Sequence, residues 1–304
     1  MPAIEFSRFR LEVASLYDPP LRRAATAGKI KQVMREFGEI CASTEDITPV
    51  AIATWLRRHV GRRAATNDSL LRSMRAATNY AVARGYLLRS PWEFRRDWIE
   101  PDAEEEPVRH HSIAEIAAVL NLLRVEAEPG EWHARRLLAM TSLFAFTGLR
   151  KMEGLCLRVT DADLDRRILT IASTRRRRLK TPRSESKIGI APDLAEVLAT
   201  WLPDTGCDWL FPGATKRGPW LGGPPGQKPL DRLKAAGRRA GVDGVTFLSL
   251  RHSFATHAQM WGLSPLGLRA ILRHTKLRTQ SHYVHADEAD ARELVKHVTF
   301  RLVS

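Results

Sequence analysis

The sequence predicts a mainly α-helical protein carrying one small β-sheet, divided into two domains. Three observations predict it. Apolar residues recur at helical spacing through most of the chain, as in Ile30, Val33, Met34, Phe37 and Cys41. Only two short runs, Ile168-Leu169-Thr170-Ile171 and Ile188-Gly189-Ile190, read as strands. Between the helical blocks, Glu100 to Pro107 is a charged stretch bracketed by two prolines, which reads as a linker. A chain of 304 residues is long enough for two ordinary domains, and 44% hydrophobic residues supply a sizeable core.

The elements follow in order. Residues 1–20 read as an irregular lead-in, with Pro19-Pro20 blocking regular structure. A first helix carries the Ile30 to Cys41 stripe. Asp46 or Thr48 caps a second, with Pro49 in its first turn and Ile52, Trp55 and Leu56 on its buried side. Asn67 or Asp68 caps a third, whose apolar stripe is Leu71, Met74, Thr78, Ala81 and Val82. Arg72, Arg75 and Asn79 share the neighbouring stripe, and Gly85 and Pro91 close the segment. Residues 15–98 therefore form a small all-helical domain, 99–107 a linker, 108–298 a larger domain and 299–304 a tail. In the larger domain, helices are expected at about 112–127, 132–146, 193–202, 229–240, 250–261, 265–273 and 287–297. The two strands flank a very basic turn, Arg175 to Lys180. His110-His111 reads as an exposed linker end.

Lys and Arg outnumber Asp and Glu by 48 to 34, giving a net charge of +14 and an isoelectric point near 10.3. Such an excess suits a polyanionic partner. No run of about 18 apolar residues marks a membrane span, and Met1 to Phe6 shows no secretory pattern. Cys41, Cys156 and Cys207 lie too far apart for a disulfide framework or a zinc site, so a reducing cytoplasm is the expected setting. Asp161-Ala162-Asp163-Leu164-Asp165 lacks the glycine and the terminal glutamate of a calcium loop.

Four segments of the second half carry the chemistry. Thr147-Gly148-Leu149-Arg150 follows an apolar helix, and Glu153 stands three residues on, placed to orient Arg150 or to cap a helix. Lys180-Thr181 sits in the basic turn. Leu250-Arg251-His252-Ser253-Phe254-Ala255-Thr256 opens another helix. Leu272-Arg273-His274 precedes His282-Tyr283-Val284-His285. Arginine forks neutralise phosphodiester oxygens bidentately. A tyrosine hydroxyl, with a pKa of about 10, becomes a usable nucleophile among cations.

In order and spacing together, these segments resemble the tyrosine recombinases of the phage integrase family. The resemblance covers most of the chain. It implies a helical, SAM-like core-binding domain over 15–98 and an integrase-type catalytic domain, the DNA breaking-rejoining fold, over 108–298, closing as a clamp on duplex DNA. It implies roles residue by residue. Arg150 and Arg251 hold the phosphate. Tyr283 is the nucleophile forming a 3′-phosphotyrosyl link. His274 hydrogen-bonds the phosphate region, and Lys180 protonates the departing 5′ oxygen. It implies no metal and no other cofactor, a homotetramer on double-stranded DNA, a cytoplasmic, nucleoid-associated location, and subunit packing by Val295 to Leu302.

One position departs from the family pattern. Three residues before the second arginine the family has His or Lys; here it is Leu248, which can neither accept the tyrosine proton nor support the phosphate. Three readings stay open at this point: substitution by His252 or His282, a slow enzyme, or a DNA-binding protein that has lost catalysis. A relaxing enzyme resembling type IB topoisomerases uses the same covalent chemistry without pairing two sites.

Overall fold

The structure is a computed structural model that describes residues 3–17, 24–59, 64–92, 110–128, 130–174 and 186–272. The linker stretch 99–107, the basic turn with Lys180, the segment with His274 and Tyr283, the expected helix 287–297 and the tail lie outside the described residues. The chain divides into two compact units, Met1–Pro107 and Val108–Ser304.

The first unit contains α1 (Phe6–Tyr17), α2 (Ala24–Phe37), α3 (Pro49–Arg57) and α4 (Ala64–Ala83). Residues 6–17 are thus helical, which corrects the reading of 1–20 as an irregular lead-in. Phe6, Phe9 and Val13 fall at helical spacing and are buried, with the Phe6 ring stacked on Phe37 at 6.4 Å. The stripe is short and split by Ser7, Arg8, Arg10 and Glu12, which hides it in the sequence. The expected stripe from Ile30 to Cys41 is buried throughout. Thr48 caps α3 through Oγ1, which accepts from the Ala51 amide at 3.2 Å, and Pro49 opens the helix. Helix α4 begins at Ala64, upstream of both Asn67 and Asp68, so neither is its cap. Alanine is the best helix former, and Ala64-Ala65 extend the helix backward. Arg72, Arg75 and Asn79 are exposed along one side of α4, with the Arg75 guanidinium over Trp92 at 5.0 Å.

The second unit contains α5 (Ile113–Ala127), α6 (Trp132–Thr147), α7 (Lys151–Leu155), the strands β1 (Ala162–Asp163), β2 (Ile168–Ile171) and β3 (Ser186–Gly189), then α8 (Pro192–Trp201), α9 (Pro229–Arg239), α10 (Phe247–Met260) and α11 (Pro265–Leu272). The protein is therefore mostly α with one small three-stranded sheet among the described residues. Helix α6 is its centre. Eleven of its residues are buried, including polar Thr141 and Ser142, because α5, α8, α9 and α10 all pack around it. Ser112 and Glu115 start α5 reciprocally: Ser112 Oγ accepts from the Glu115 amide at 3.1 Å, and Glu115 Oε2 accepts from the Ser112 amide at 2.8 Å.

The sheet is antiparallel in the order β1-β2-β3, with Leu169 opposite Ile188 and Ile171 opposite Ser186. β1 is only two residues long, too short for a period-two pattern to reveal in sequence. Asp161 and Asp163 are consumed in turns, accepting from the amides of Arg158 at 2.8 Å and Arg166 at 2.9 Å.

At the N-terminal end of α6, Arg136 is buried between the rings of Trp132 at 4.4 Å and Trp220 at 3.7 Å. It donates to the Pro212 carbonyl at 2.6 Å and so fastens the 209–220 segment to the core. Burial, then the nearby Arg232 charge, push its pKa down to about 10.

His111 is not an exposed linker end. It is buried, and it is bound by three side chains of α10. A paired histidine next to an acidic stretch looks solvated in sequence, whereas the serines and histidine that bind it lie some 140 residues away.

Candidate active site

The site begins where α6 ends. Gly148 adopts φ +58°, the left-handed conformation that terminates a helix, and its amide bonds to the Phe144 carbonyl at 3.1 Å. A Cβ there would meet Phe254 of α10 at 2.6 Å and Leu272 of α11 at 2.9 Å. Glycine is required for conformation and for space alike. Two residues on, Arg150 sits at the N-cap of α7 with extended backbone. Glu153, in the first turn of α7, is nearly buried and holds Arg150 twice. Its Oε2 accepts from the Arg150 amide at 2.9 Å and its Oε1 from Nη1 at 2.9 Å. Both roles expected for Glu153 are thus filled by one carboxylate. Helix α7 lies close on α6, because a Cβ at Gly154 would strike the Phe144 ring at 2.5 Å.

Helix α10 delivers Arg251. Thr246 caps this helix, its Oγ1 accepting from the Ser249 amide at 3.0 Å, so the helix begins three residues before the expected start at Leu250. Arg251 is buried. Its Nη1 donates to the Gly148 carbonyl at 2.6 Å and its Nη2 to the Leu272 carbonyl at 2.6 Å. One planar guanidinium therefore joins the turn before Arg150, the α10 segment and the last described residue before Arg273-His274. Leu248 lies in the first turn of the same helix and is 57% exposed. His252, half-buried, has its pKa pushed below the ordinary histidine value by burial and then by the Arg251 charge. It is neutral at pH 7.

Of the residues expected at the site, the structure describes Arg150 and Arg251 and brings their two segments together. Lys180, His274 and Tyr283 lie outside the described residues. Among the described residues no cluster of three His, Cys, Asp or Glu is placed to hold a metal. No described helix is long and apolar enough to cross a membrane. Sequence reasoning missed the carbonyls of Gly148 and Leu272 as partners of Arg251. A glycine directly after a long apolar helix was the available signal for the first.

Comparison with known proteins decides the family. The model of the phage integrase family matches residues 112–290, more than half of the chain. The chain belongs to the phage integrase family. Among curated relatives, the tyrosine recombinase XerD of Neisseria meningitidis serogroup A is 28% identical over 170 residues, covering 54% of this chain and 55% of XerD. That match spans about half the length of the relative. The tyrosine recombinase XerC of Mycobacterium bovis is 25% identical over 283 residues, 89% of each chain. Solved integrases share the fold. The Tn1549 transposon integrase, in complex with transposon right end DNA, superposes with a TM-score of 0.69 at 17% identity over 98% of this chain and 97% of its own. A lambda integrase dimer bound to a COC′ core site gives 0.66 at 16% identity, over 93% and 100%. The family assignment and the shared fold agree with each other, and the curated relatives are tyrosine recombinases.

Proposed function

We propose that this integrase-family chain is a site-specific recombinase working through a covalent 3′-phosphotyrosyl intermediate at Tyr283. Arg150, Arg251 and His274 hold the scissile phosphate and spread its developing charge. The Tyr283 hydroxyl gives up its proton to solvent and its oxygen attacks phosphorus while the P–O bond to the 5′ oxygen breaks. Lys180 gives that oxygen its proton, leaving a 5′ hydroxyl. The 5′ hydroxyl of another strand then attacks the phosphotyrosine and releases the tyrosine. Cationic side chains supply the charge stabilisation, so the reaction needs no metal or nucleotide. The observation that supports this reading is the Arg251 guanidinium, bonded at 2.6 Å to the carbonyls of both Gly148, two residues before Arg150, and Leu272.

The proposed partner is double-stranded DNA, and the proposed assembly a homotetramer at the nucleoid. Lambda integrase, which shares the fold, has been solved as a tetramer bound to a Holliday junction. In the first unit, the exposed side of α4 with Arg72, Arg75 and Asn79 supplies DNA contacts. The test is a denaturing gel. Full-length protein is incubated with nicked duplexes taken from the DNA flanking its own coding sequence, with and without EDTA. A protein–DNA adduct is expected with the wild type in both conditions and is lost in Tyr283→Phe. An adduct that survives in Tyr283→Phe, or needs a divalent ion, overturns the mechanism.

The exposure of Leu248 favours a second reading, in which the scaffold binds DNA with impaired catalysis. Neutral His252, beside Arg251, is the alternative proton acceptor. If it takes the tyrosine proton, His252→Asn slows adduct formation and leaves DNA binding unchanged. A wild type that binds these duplexes and yields no adduct supports the impaired reading.

A further inference from the structure

One stripe of α10 is devoted to a single residue of another segment. Ser253 Oγ accepts from the His111 amide at 2.7 Å. His257 Nε2 lies 2.8 Å from the His111 carbonyl and, as the only possible donor of the two, donates to it. His111 Nε2 lies 3.0 Å from Ser249 Oγ. Ser249, Ser253 and His257 fall at successive spacings of four, so they line one face of the helix. All three are buried, as is His111. Ser253 Oγ also donates to the Ser249 carbonyl at 2.9 Å, and Ser249 Oγ accepts from the Thr246 amide at 2.8 Å, which ties the stripe to the helix start. Arg251 projects from the same two turns.

We infer that His257 is a positioning residue: through its bond to the His111 carbonyl it fixes the height and rotation of α10, and thereby where Arg251 meets Gly148 and Leu272. The inference rests on the phosphate-binding role proposed for Arg251. A guanidinium satisfying two carbonyls from two other segments tolerates little movement of the helix that carries it. The seam adds directional bonds to the apolar packing of α10, which is itself non-directional.

The seam works with a neutral imidazole. Burial, and then the neighbouring His110, hold the His257 pKa below the ordinary histidine value, while the bond to His111 acts the other way. Its Nδ1 is buried with no hydrogen-bond partner among the described residues. Of the groups packed near it, His110 opposes a second proton. Glu115 of α5 lines the small cavity beside His111 and is engaged in capping Ser112. α6 turns Thr141 toward that cavity, and α11 contributes Leu268, Ile271 and Leu272 to the adjoining core. Among the described residues, a second proton would therefore be buried without a counter-charge. Because the folded pKa is lowered, the stability contributed by the buried neutral imidazole is fully present above the ordinary histidine pKa. It is lost as pH falls from there through the folded value.

The test compares wild type with His257→Gln, whose amide reaches the same carbonyl and does not titrate, and with His257→Leu. Amide exchange is followed by mass spectrometry on the full chain at pH 5.5 and pH 8. At pH 5.5 the peptides spanning 110–113 and 247–254 should exchange about threefold or more faster in the wild type than in His257→Gln, and equally at pH 8. His257→Leu should show the faster exchange at both. On the nicked duplexes, adduct formation should fall at pH 5.5 in the wild type and be rescued by His257→Gln. Equal exchange of wild type and His257→Gln at both pH values overturns the seam, even if the leucine variant does not fold. A split in exchange with identical adduct profiles overturns the positioning role. A split in exchange with no adduct from any variant leaves the seam standing and counts against the proposed chemistry instead.

Discussion

Helix α6 has a buried arginine at each end, and the two are buried for opposite reasons. Arg136, 4% exposed, is enclosed by two tryptophan rings, and Arg251, 7% exposed, meets the far end of the helix through the Gly148 carbonyl. Burial does not separate them; their partners do. Aromatic faces satisfy a guanidinium on both flat sides and close it to any anion. Two carbonyls engage only the two Nη ends, and they belong to segments that carry motif residues. The difference teaches that an arginine's role is read from which segments it joins, since depth alone gives the same answer for both.

The largest effect should come from the α10 end. Arg251→Gln loses the charge and at least one of the two carbonyl bonds. Adduct formation on nicked duplex is expected to fall on the order of 10²- to 10³-fold. Arg251→Lys should recover little, because one ammonium cannot span two carbonyls in the geometry of a planar fork. Near-full recovery by lysine would mean that charge alone matters at this end.

Arg136→Gln should reverse the pattern. Loss of the ring contacts and of the bond to Pro212 should cost about 2–3 kcal/mol of stability, read as a lower denaturation midpoint. Adduct formation well below that midpoint should be unchanged. A loss of chemistry without loss of stability would erase the distinction between the two ends.

Gly148→Ala tests the junction between them. The left-handed backbone costs a non-glycine residue about 1–2 kcal/mol, and the clash with Phe254 and Leu272 adds about 1–3 kcal/mol. Both effects bear on the turn that Arg251 holds, so stability and adduct formation should fall together. A stability loss with wild-type adduct rates would show that the Gly148 carbonyl is not part of the site.

How much of this was legible in the sequence differs between the two ends. The segments around Arg150 and Arg251 stand out because their residue types and order match a family pattern, and the helices show through their apolar period. Arg136 gave no signal. Its partners are Trp132, one turn before it, and Trp220, more than 80 residues later, and no local pattern links them. Helix α1 was hidden by a stripe of only three apolar residues, and the seam at His111 by sequence distance. Caps fared according to chemistry. Thr48 followed by Pro49 is readable, whereas Thr246 is not, because Phe247 and Leu248 behind it carry no recognisable period. The rule that emerges is physical: contacts made within about one helical turn leave a pattern in sequence, and side-chain bonds between distant segments do not.

The smallest effect concerns Glu153, a carboxylate that binds Arg150, whereas Arg251 donates to the carbonyls of Gly148 and Leu272. Glu153→Gln keeps the size and can still accept one bond, but it removes the charge opposite Nη1. Removing one charge-assisted hydrogen bond is worth about 1–2 kcal/mol, so adduct formation should slow about tenfold with nearly unchanged stability. A carboxylate at 2.9 Å also competes with the phosphate for the guanidinium, and a neutral partner leaves Arg150 more positive toward DNA. Binding and chemistry should therefore separate in this variant: tighter, more salt-sensitive DNA binding together with a slower chemical step, because the arginine is more attractive and less well aimed. If binding and chemistry weaken in parallel, Glu153 serves the fold of α7 and not the aim of Arg150. The contrast with Arg251 would then lie in burial after all.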